Sequence, residues 1–162
     1  MPSSVQDFDA LVAQLALNRH PEGGWYRETW RAAPTAGASR SAATSIIFAL
    51  GVGERSRLHR IDADELWVWQ GGGAVTVHVL SPEGQRETLL IGPPGRHDTV
   101  PQAVVGAGAW FCAEPEPGAF AVVGCVVAPG FEFRGFELAS RAALMAVFPG
   151  HADLIAAFTP PA

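Results

Sequence analysis

The sequence has few cysteines and no long apolar run, and each shortage excludes a class of protein. Cys112 and Cys125 are the only cysteines in 162 residues, too few for a disulfide scaffold, and their apolar surroundings predict buried, inert thiols. No apolar run approaches the roughly 18 residues that a membrane span needs. The first twenty residues lack the cationic start and the cleavage site of a signal peptide. We therefore expect a cytoplasmic protein without a membrane partner.

Charge is also scarce, at 17% of residues, and the formal net charge is -5. An acidic balance argues against a surface that binds the phosphates of DNA or RNA. The sequence contains no P-loop, no G-x-S-x-G elbow and no C-x-x-C pair. We therefore expect no nucleic-acid partner.

Glycine and proline are plentiful, with 18 and 13 residues, which favours short strands joined by many turns. The chain is long enough to bury a core as one domain over residues 1–162. Ser81-Pro82-Glu83-Gly84 has turn chemistry and predicts a hairpin between two strands. The strands that we predict span 44–50, 66–70, 74–80, 85–91, 100–105, 109–113 and 119–128.

Helices are predicted only near the ends of the chain. Residues 4–18 have apolar residues at helical spacing, with Ser4 as the cap and Asn18 at the close. Ser140 is predicted to cap a helix that reaches Phe148, followed by a short helix to Phe158. Many short strands between terminal helices indicate a mainly β protein, closed or sandwiched so that its sheet edges are covered.

One segment carries a spaced motif. From Gly53 to Gly72 the residues follow the pattern G-x5-H-x-I-x3-E-x6-G, which resembles the first motif of the cupin superfamily with Ile61 in place of its second histidine. With His20-Pro-Glu-Gly-Gly-Trp-Tyr-Arg-Glu-Thr29 and Val127–Phe133, the chain resembles a small stand-alone cupin family labelled as unknown function or "predicted sugar epimerase". The resemblance implies a cupin double-stranded β-helix, or jelly-roll barrel, and a homodimer.

The resemblance also indicates which metal ligands are missing. A metal-binding cupin offers three histidines and one carboxylate, and a stable mononuclear site needs at least three protein ligands. Here His59 and Glu65 remain, whereas Ile61 and Phe111 stand where two histidines would be. Neither hydrocarbon side chain can bind a metal, so we expect no metal and no cofactor.

Without a metal, His59 and Glu65 are still expected to lie close together. The carboxylate would accept the imidazole N–H and orient the ring, so that His59 could act as a general base. The resemblance to metal-independent epimerases implies this use, with Tyr26 as the acid on the opposite face of the sugar. The alternative is a relic pair that only stabilises the fold.

Several further residues are candidates for substrate binding. Arg27 could hold an anion or pair with Glu22 or Glu28. Strand alternation puts Tyr26 and Glu28 on the face opposite Arg27, so only one face is expected to line a pocket. Aromatic walls could hold a sugar ring or form the barrel core. The substrate-binding candidates are Arg27, Glu28, Ile61, Trp67, Trp69, Trp110 and Phe111.

Three functions stay open at this point. The first is a metal-independent isomerase or epimerase that acts on a keto-sugar or a sugar nucleotide by proton abstraction. The second is a non-catalytic metabolite-binding module, favoured by the apolar Ile61, Val68 and Phe111. The third, a metal-dependent enzyme, has too few ligands. His20, His78, His97 and His151 show no ligand spacing and receive no site.

Overall fold

Eleven strands and three helices form the part of the chain that the computed structural model describes, residues 5–161. Two single-turn 3-10 helices add Phe133–Gly135 and Pro149–His151. The helices are α1 (Val5–Gln14), α2 (Arg141–Val147) and α3 (Ala152–Ala157). The strands are β1 (Asn18–Arg19), β2 (Trp25–Arg31), β3 (Thr44–Leu50), β4 (Ser56–Ile61), β5 (Asp64–Gly72), β6 (Val75–Leu80), β7 (Arg86–Ile91), β8 (Gln102–Val105), β9 (Trp110–Pro115), β10 (Ala121–Ala128) and β11 (Phe136–Leu138).

The strands form two antiparallel sheets. The six-stranded sheet has the order β1-β2-β3-β10-β5-β8, and the five-stranded sheet has the order β11-β4-β9-β6-β7. Strands that are distant in sequence therefore lie side by side, as β3 and β10 do. The predicted hairpin is confirmed, since β6 pairs with β7 from Val75 opposite Ile91 to Leu80 opposite Arg86.

The core lies between the two sheets. Phe48 and Trp67 from the six-stranded sheet pack with Val77 and Phe111 from the five-stranded sheet, and all four are almost completely buried. Successive side chains of a strand point to opposite faces, so each strand contributes every second residue to this layer. The mainly β jelly-roll architecture expected from the sequence is confirmed.

The helices cover the outer faces of the sheets. On α1, Phe8 packs its ring 5.5 Å from that of Phe120, outside the six-stranded sheet. Leu144 of α2 and Ile155 of α3 pack against the outside of the five-stranded sheet. The predicted cap of α2 is confirmed, because the Ser140 hydroxyl accepts a hydrogen bond from the Ala143 N–H. None of the described helices is long and apolar enough to cross a membrane.

The first helix is shorter than predicted. It ends at Gln14, because Ala16 adopts a φ of 51° and Asn18 pairs with Tyr26 as part of β1. Tertiary pairing therefore prevails over helical periodicity at this end. The cap predicted at Ser4 lies outside the described residues.

Candidate functional site

A cavity of about 450 Å³ opens beside one end of the core, a size typical of small-molecule sites. Its lining has three parts. The polar floor consists of His20, Glu22, His59 and Glu65. The apolar wall consists of Ile46, Ile61, Val127, Phe131, Phe133 and Phe136. The charged rim consists of Arg27, Glu28, Arg31 and Glu132.

The polar floor is organised around a hydrogen-bonded histidine–carboxylate pair. His59, on β4, lies with its Nε2 2.7 Å from Oε2 of Glu22, and the side chains are only 3% and 8% exposed. Its Nδ1 lies 2.7 Å from the carbonyl oxygen of Arg57. A carbonyl can only accept, so Nδ1 carries a proton. Nε2 and Glu22 then share a second proton, and the pair is neutral overall whichever of them holds it.

The partner of His59 corrects the sequence prediction, which named Glu65. Glu22 comes from the turn between β1 and β2, and two contacts hold that turn against the strand segment before His59. The Arg57 N–H donates to the Glu22 carbonyl oxygen at 2.6 Å. Gly23 has a φ of +102°, and a Cβ there would lie 2.4 Å from the Arg55 carbonyl oxygen, so only glycine fits.

The electrostatics of the floor raise the pKa of His59. Burial alone lowers it, but the charge and the hydrogen bond of Glu22, the Arg57 carbonyl and the charge of Glu65 together outweigh burial. The His59 imidazole therefore keeps its proton to a higher pH than a free histidine does.

Glu65 is the second carboxyl group of the floor. It lies at the start of β5, and burial, followed by the nearby charge of Glu22, raises its pKa to about 7, against the opposing effect of His59. The thiol of Cys125, on the neighbouring β10, donates a hydrogen bond to Glu65. Burial also raises the pKa of the Cys125 thiol, which agrees with the buried thiols predicted for Cys125 and Cys112. Glu65 therefore keeps its proton to a higher pH than an exposed glutamate does.

Tyr26 also lines the cavity, beside His20 of the floor. The two rings meet edge to face, with centroids 4.5 Å apart, and both residues line the cavity. The Glu22 N–H donates to Nδ1 of His20 at 3.2 Å. Sequence reasoning assigned no site to His20 or Glu22. The only signal was their place in the His20-Pro-Glu-Gly-Gly segment that carries the family resemblance.

Arg27 and Glu28 both line the cavity, although they are adjacent on β2. The expectation that one face alone could contribute is wrong. Regular alternation does not hold along β2, because its pairing with β3 shifts register between Glu28 and Trp30, and such an irregularity changes the direction of the side chains next to it. Glu28 accepts two hydrogen bonds of 2.8 Å from Arg31. Arg27 makes no hydrogen bond or ion pair with any described residue, so its guanidinium is available to a ligand.

Trp67, Trp69, Trp110 and Phe111 are not among the residues that line the cavity. Trp67 fills the core between Phe48 and Phe111, and Trp69 donates its Nε1–H to the Gly73 carbonyl oxygen. Phe111 packs against the His59 ring at 4.1 Å without lining the cavity. Trp110 must then point outward by strand alternation, and it packs with the C-terminal helices. Their proposed part in substrate binding gains no support from this placement.

The side chains present do not fit the metal cage of a cupin. Ile61 lines the cavity and Phe111 covers one side of His59, and neither carries a donor atom. Both nitrogens of His59 already take part in hydrogen bonds. Within residues 5–161, no three His, Cys, Asp or Glu side chains are grouped so that they could hold a metal ion.

Comparison with known proteins places this fold and site in a family. Residues 9–139 match the family described as Cupin superfamily (DUF985). Protein SO0799 from Shewanella oneidensis is 37% identical, over 95% of this chain and 98% of that one, with a TM-score of 0.89. A hypothetical protein from Leishmania major is 29% identical, over 94% of this chain and 98% of that one, with a TM-score of 0.86.

More distant structures share the fold alone. An oxalate decarboxylase from Bacillus subtilis is 17% identical, over 88% of this chain and 36% of that one, with a TM-score of 0.59. No curated protein matches the sequence. The family match spans most of the chain, including every residue of the polar floor, and the chain therefore belongs to the cupin superfamily family DUF985.

Proposed function

We propose that the cavity binds a keto-sugar, free or linked to a nucleotide, and isomerises it by moving a proton without a metal ion. The observation that carries this proposal is the buried His59–Glu22 hydrogen bond beside Glu65, whose pKa is raised to about 7. A general acid–base catalyst works best when its pKa lies near the working pH. An ion pair that only stabilises the fold does not require a neighbouring carboxyl group such as Glu65 with a raised pKa.

We propose roles for these residues that differ from those expected from the sequence. Both nitrogens of His59 are occupied by Arg57 and Glu22, so this ring is poorly placed to take a proton from a ligand. Glu65 is the better base, because it lines the cavity and its pKa is raised to about 7. In this scheme the proton shared by His59 and Glu22 stays next to Glu65, and the pair influences the charge of the Glu65 carboxyl group.

The reaction that follows is a reversible enolisation. The Glu65 carboxylate takes the proton from the carbon next to the ketone, and that C–H electron pair forms the enolate double bond while the carbonyl π pair moves to oxygen. Return of a proton to the other face of the carbon inverts its configuration. Tyr26, which also lines the cavity, is our candidate for the acid on that face. After the product leaves, Glu65 releases its proton to water and the Tyr26 phenolate takes one from water, which restores both groups.

Arg27 supports a substrate that carries an anionic group. Its neighbours Glu28 and Glu22 are committed to Arg31 and His59, which leaves the guanidinium without a counter-ion among the described residues. Arginine binds phosphate and carboxylate through two parallel hydrogen bonds. A phosphate on the keto-sugar, or the diphosphate of a sugar nucleotide, has the matching chemistry.

A second candidate is a binding module that leaves its ligand unchanged. The apolar wall favours it, because Phe131, Phe133 and Phe136 form a cluster with ring centroids 5.0 to 6.1 Å apart. Such a wall holds an apolar or aromatic ligand well but does little to stabilise a developing charge. The two candidates differ in whether a bound ketone exchanges its neighbouring hydrogen.

The test is hydrogen exchange in heavy water. Keto-sugars, their phosphates and nucleotide-linked keto-sugars are incubated with the protein, and the loss of the C–H signal next to the ketone is followed by NMR. We expect exchange for at least one compound, and Glu65→Gln should slow it by about 100-fold to 10,000-fold. Glu114→Gln, which alters a carboxylate outside the cavity, should leave the rate unchanged.

Binding is measured in the same samples by ligand-detected NMR. A compound that binds without any exchange would support the binding module and overturn the isomerase. Equal exchange rates in Glu65→Gln and the wild type would remove Glu65 from the mechanism. The homodimer implied by the resemblance stays a prediction, which sedimentation at micromolar protein concentration would test.

A further inference from the structure

His20 is the one member of the polar floor to which the proposed reaction gives no task. We infer that His20 is an uncharged hydrogen-bond donor whose Nε2–H binds the ketone oxygen of the ligand. This inference rests on the proposed function for its catalytic part, but the state of the ring can be measured independently. It makes His20 a further catalytic residue, since it would touch the reacting oxygen.

The backbone fixes the tautomer of the ring. The Glu22 N–H donates to Nδ1 of His20 at 3.2 Å, so Nδ1 acts as an acceptor and carries no proton. The Glu22 carboxylate lies 3.8 Å from the same Nδ1, which is too far for a hydrogen bond. A neutral imidazole with an unprotonated Nδ1 must hold its hydrogen on Nε2.

The other nitrogen is left for the ligand. Nε2 of His20 makes no hydrogen bond with any residue in the described part of the chain, although the side chain is only 6% exposed and lines the cavity. A donor that is nearly buried and unpaired costs stability unless a ligand or water satisfies it. The Nε2–H of His20 is thus a free hydrogen-bond donor in the polar floor of the cavity.

Four aromatic rings hold the imidazole in place. Their centroids lie 4.5 Å (Tyr26), 5.9 Å (Phe136), 6.1 Å (Phe48) and 6.5 Å (Phe133) from that of His20. This surrounding is apolar and disfavours a charged ring. The donor is therefore oriented before a ligand arrives and requires little rearrangement on binding.

Burial keeps the His20 ring neutral, against the charge of Glu22. The titratable groups that face it are Glu22, His59 and the phenol of Tyr26. Burial lowers the pKa of His20, Glu22 opposes this effect, and the nearby His59 adds to it, so the net pKa lies below the ordinary 6.5. At neutral pH the ring donates a hydrogen bond without bringing a positive charge.

A neutral donor suits the proposed reaction. When Glu65 takes the proton from carbon, negative charge develops on the ketone oxygen, and a preorganised N–H stabilises it in the transition state. His20 keeps its proton throughout, so no charge is left behind when the enolate collapses. A ligand without a carbonyl or other acceptor oxygen at this position would leave the donor unsatisfied and should bind more weakly.

The tautomer is measured by nitrogen-15 NMR of histidine-labelled protein, with His20→Phe to identify the His20 signals. We expect the signature of a neutral ring with a proton on Nε2 at neutral pH, and a midpoint of titration below the ordinary 6.5. A proton on Nδ1, or a midpoint of titration above the ordinary value, would overturn the inference. This readout needs no substrate, so it stands whether or not the protein is an isomerase.

The contact with the ligand is tested with dihydroxyacetone phosphate labelled with carbon-13 at its carbonyl. Binding to the wild type should move the carbonyl signal downfield, as donation to a ketone does, and His20→Phe should abolish the shift. His20→Gln keeps an N–H donor and should retain part of it, whereas His78→Phe, which alters a ring outside the cavity, should retain it all. A bound ketone with the same carbonyl shift in the wild type and His20→Phe would overturn the contact, as would no binding at millimolar concentration.

The catalytic part is tested on whichever ketone exchanges hydrogen in heavy water. His20→Phe should slow exchange by about 100-fold or more, and His20→Gln should recover part of the loss at an unchanged melting temperature. Equal rates in all three proteins would remove His20 from catalysis. If the wild type exchanges no ketone, the proposed isomerase fails, while the tautomer and the carbonyl shift still decide whether His20 is a ligand donor.

Discussion

Two histidine–carboxylate pairs lie in different parts of this barrel, and their surroundings differ more than their chemistry. His59 and Glu22 are 2.7 Å apart, with side chains 3% and 8% exposed, beside the cavity. His78 and Glu114 are 3.4 Å apart and 13% and 31% exposed, near the C-terminal helices, where the His78 ring packs against Phe158. Glu114 also pairs with the exposed Arg55.

The comparison shows that residue types alone do not identify the site. Water screens the second pair, so the location of its proton has little effect on the fold or on a ligand. The first pair is enclosed, faces a second carboxyl group and borders a cavity, so one proton changes the charge that a ligand meets. Burial together with a cavity is what makes the His59–Glu22 pair a candidate for a functional site.

The largest expected difference is in stability. Glu22→Ala leaves His59 buried without its carboxylate, and we expect the free energy of unfolding to fall by about 3 kcal/mol. Glu114→Ala removes a screened partner and should cost at most about 1 kcal/mol. Chemical denaturation of the two variants measures both values. Similar losses in the two variants would show that burial does not make the His59–Glu22 pair more stabilising than the His78–Glu114 pair.

The next effect is on the pH dependence of stability. The pKa of Glu65 is raised from its ordinary 4.5 to about 7 in the folded protein, so the folded state holds this proton more tightly than the unfolded chain. The contribution of Glu65 to the free energy of unfolding is therefore most favourable below about pH 4.5, and it declines as the pH rises to about 7. The raised pKa of His59 acts in the same direction, because its stabilisation is lost as pH rises through the folded value.

Glu65→Gln should remove the Glu65 part of this slope. Relative to the wild type, its free energy of unfolding should rise by up to about 3 kcal/mol between pH 4.5 and pH 8. Glu114→Gln serves as the matched control and should follow the wild-type curve. Denaturation midpoints at a series of pH values provide the measurement. A constant difference between Glu65→Gln and the wild type would mean that Glu65 titrates normally.

The smallest effect concerns the thiol that supports Glu65. The Cys125 S–H lowers the pKa of Glu65 by donating to it, so Cys125→Ala should raise that pKa, by at most about one unit. Infrared detection of the protonated carboxyl group across pH would report the shift. Cys112→Ala, a buried thiol in the outer cluster, should leave the carboxyl signal in place. A lower Glu65 pKa in Cys125→Ala would contradict the assigned hydrogen bond.

Much of the fold was predictable because its signals are local. The prediction of a strand over 44–50 matches β3 residue for residue, since an apolar β-branched run between turns has few alternatives. The hairpin of β6 and β7 followed from a turn of four residues. The error at the end of α1 arose where a distant strand competed for Asn18, and no local pattern contains that information.

The site was predictable only in part for the same reason. His59, Glu65 and Ile61 belong to one spaced motif, and all three line the cavity. Glu22 is 37 positions before His59 in the sequence, so their contact depends on the packing of a turn against β4. Strand alternation correctly predicted that Trp67 points toward the inside of the barrel. It could not show where along β5 the cavity ends and the packed core begins.

The turn at residues 20–24 has a consequence for how such a protein can change over evolutionary time. It supplies His20 and Glu22 to the cavity, whereas the barrel strands beneath it supply the packing that keeps the chain folded. A substitution of His20 would change the group that a ligand meets while the strands stay as they are, whereas Glu22 also holds the buried His59 and is less free to vary. Proteins that share this barrel can therefore diverge in chemistry through a five-residue segment, and their activities cannot be transferred from one to another on overall identity.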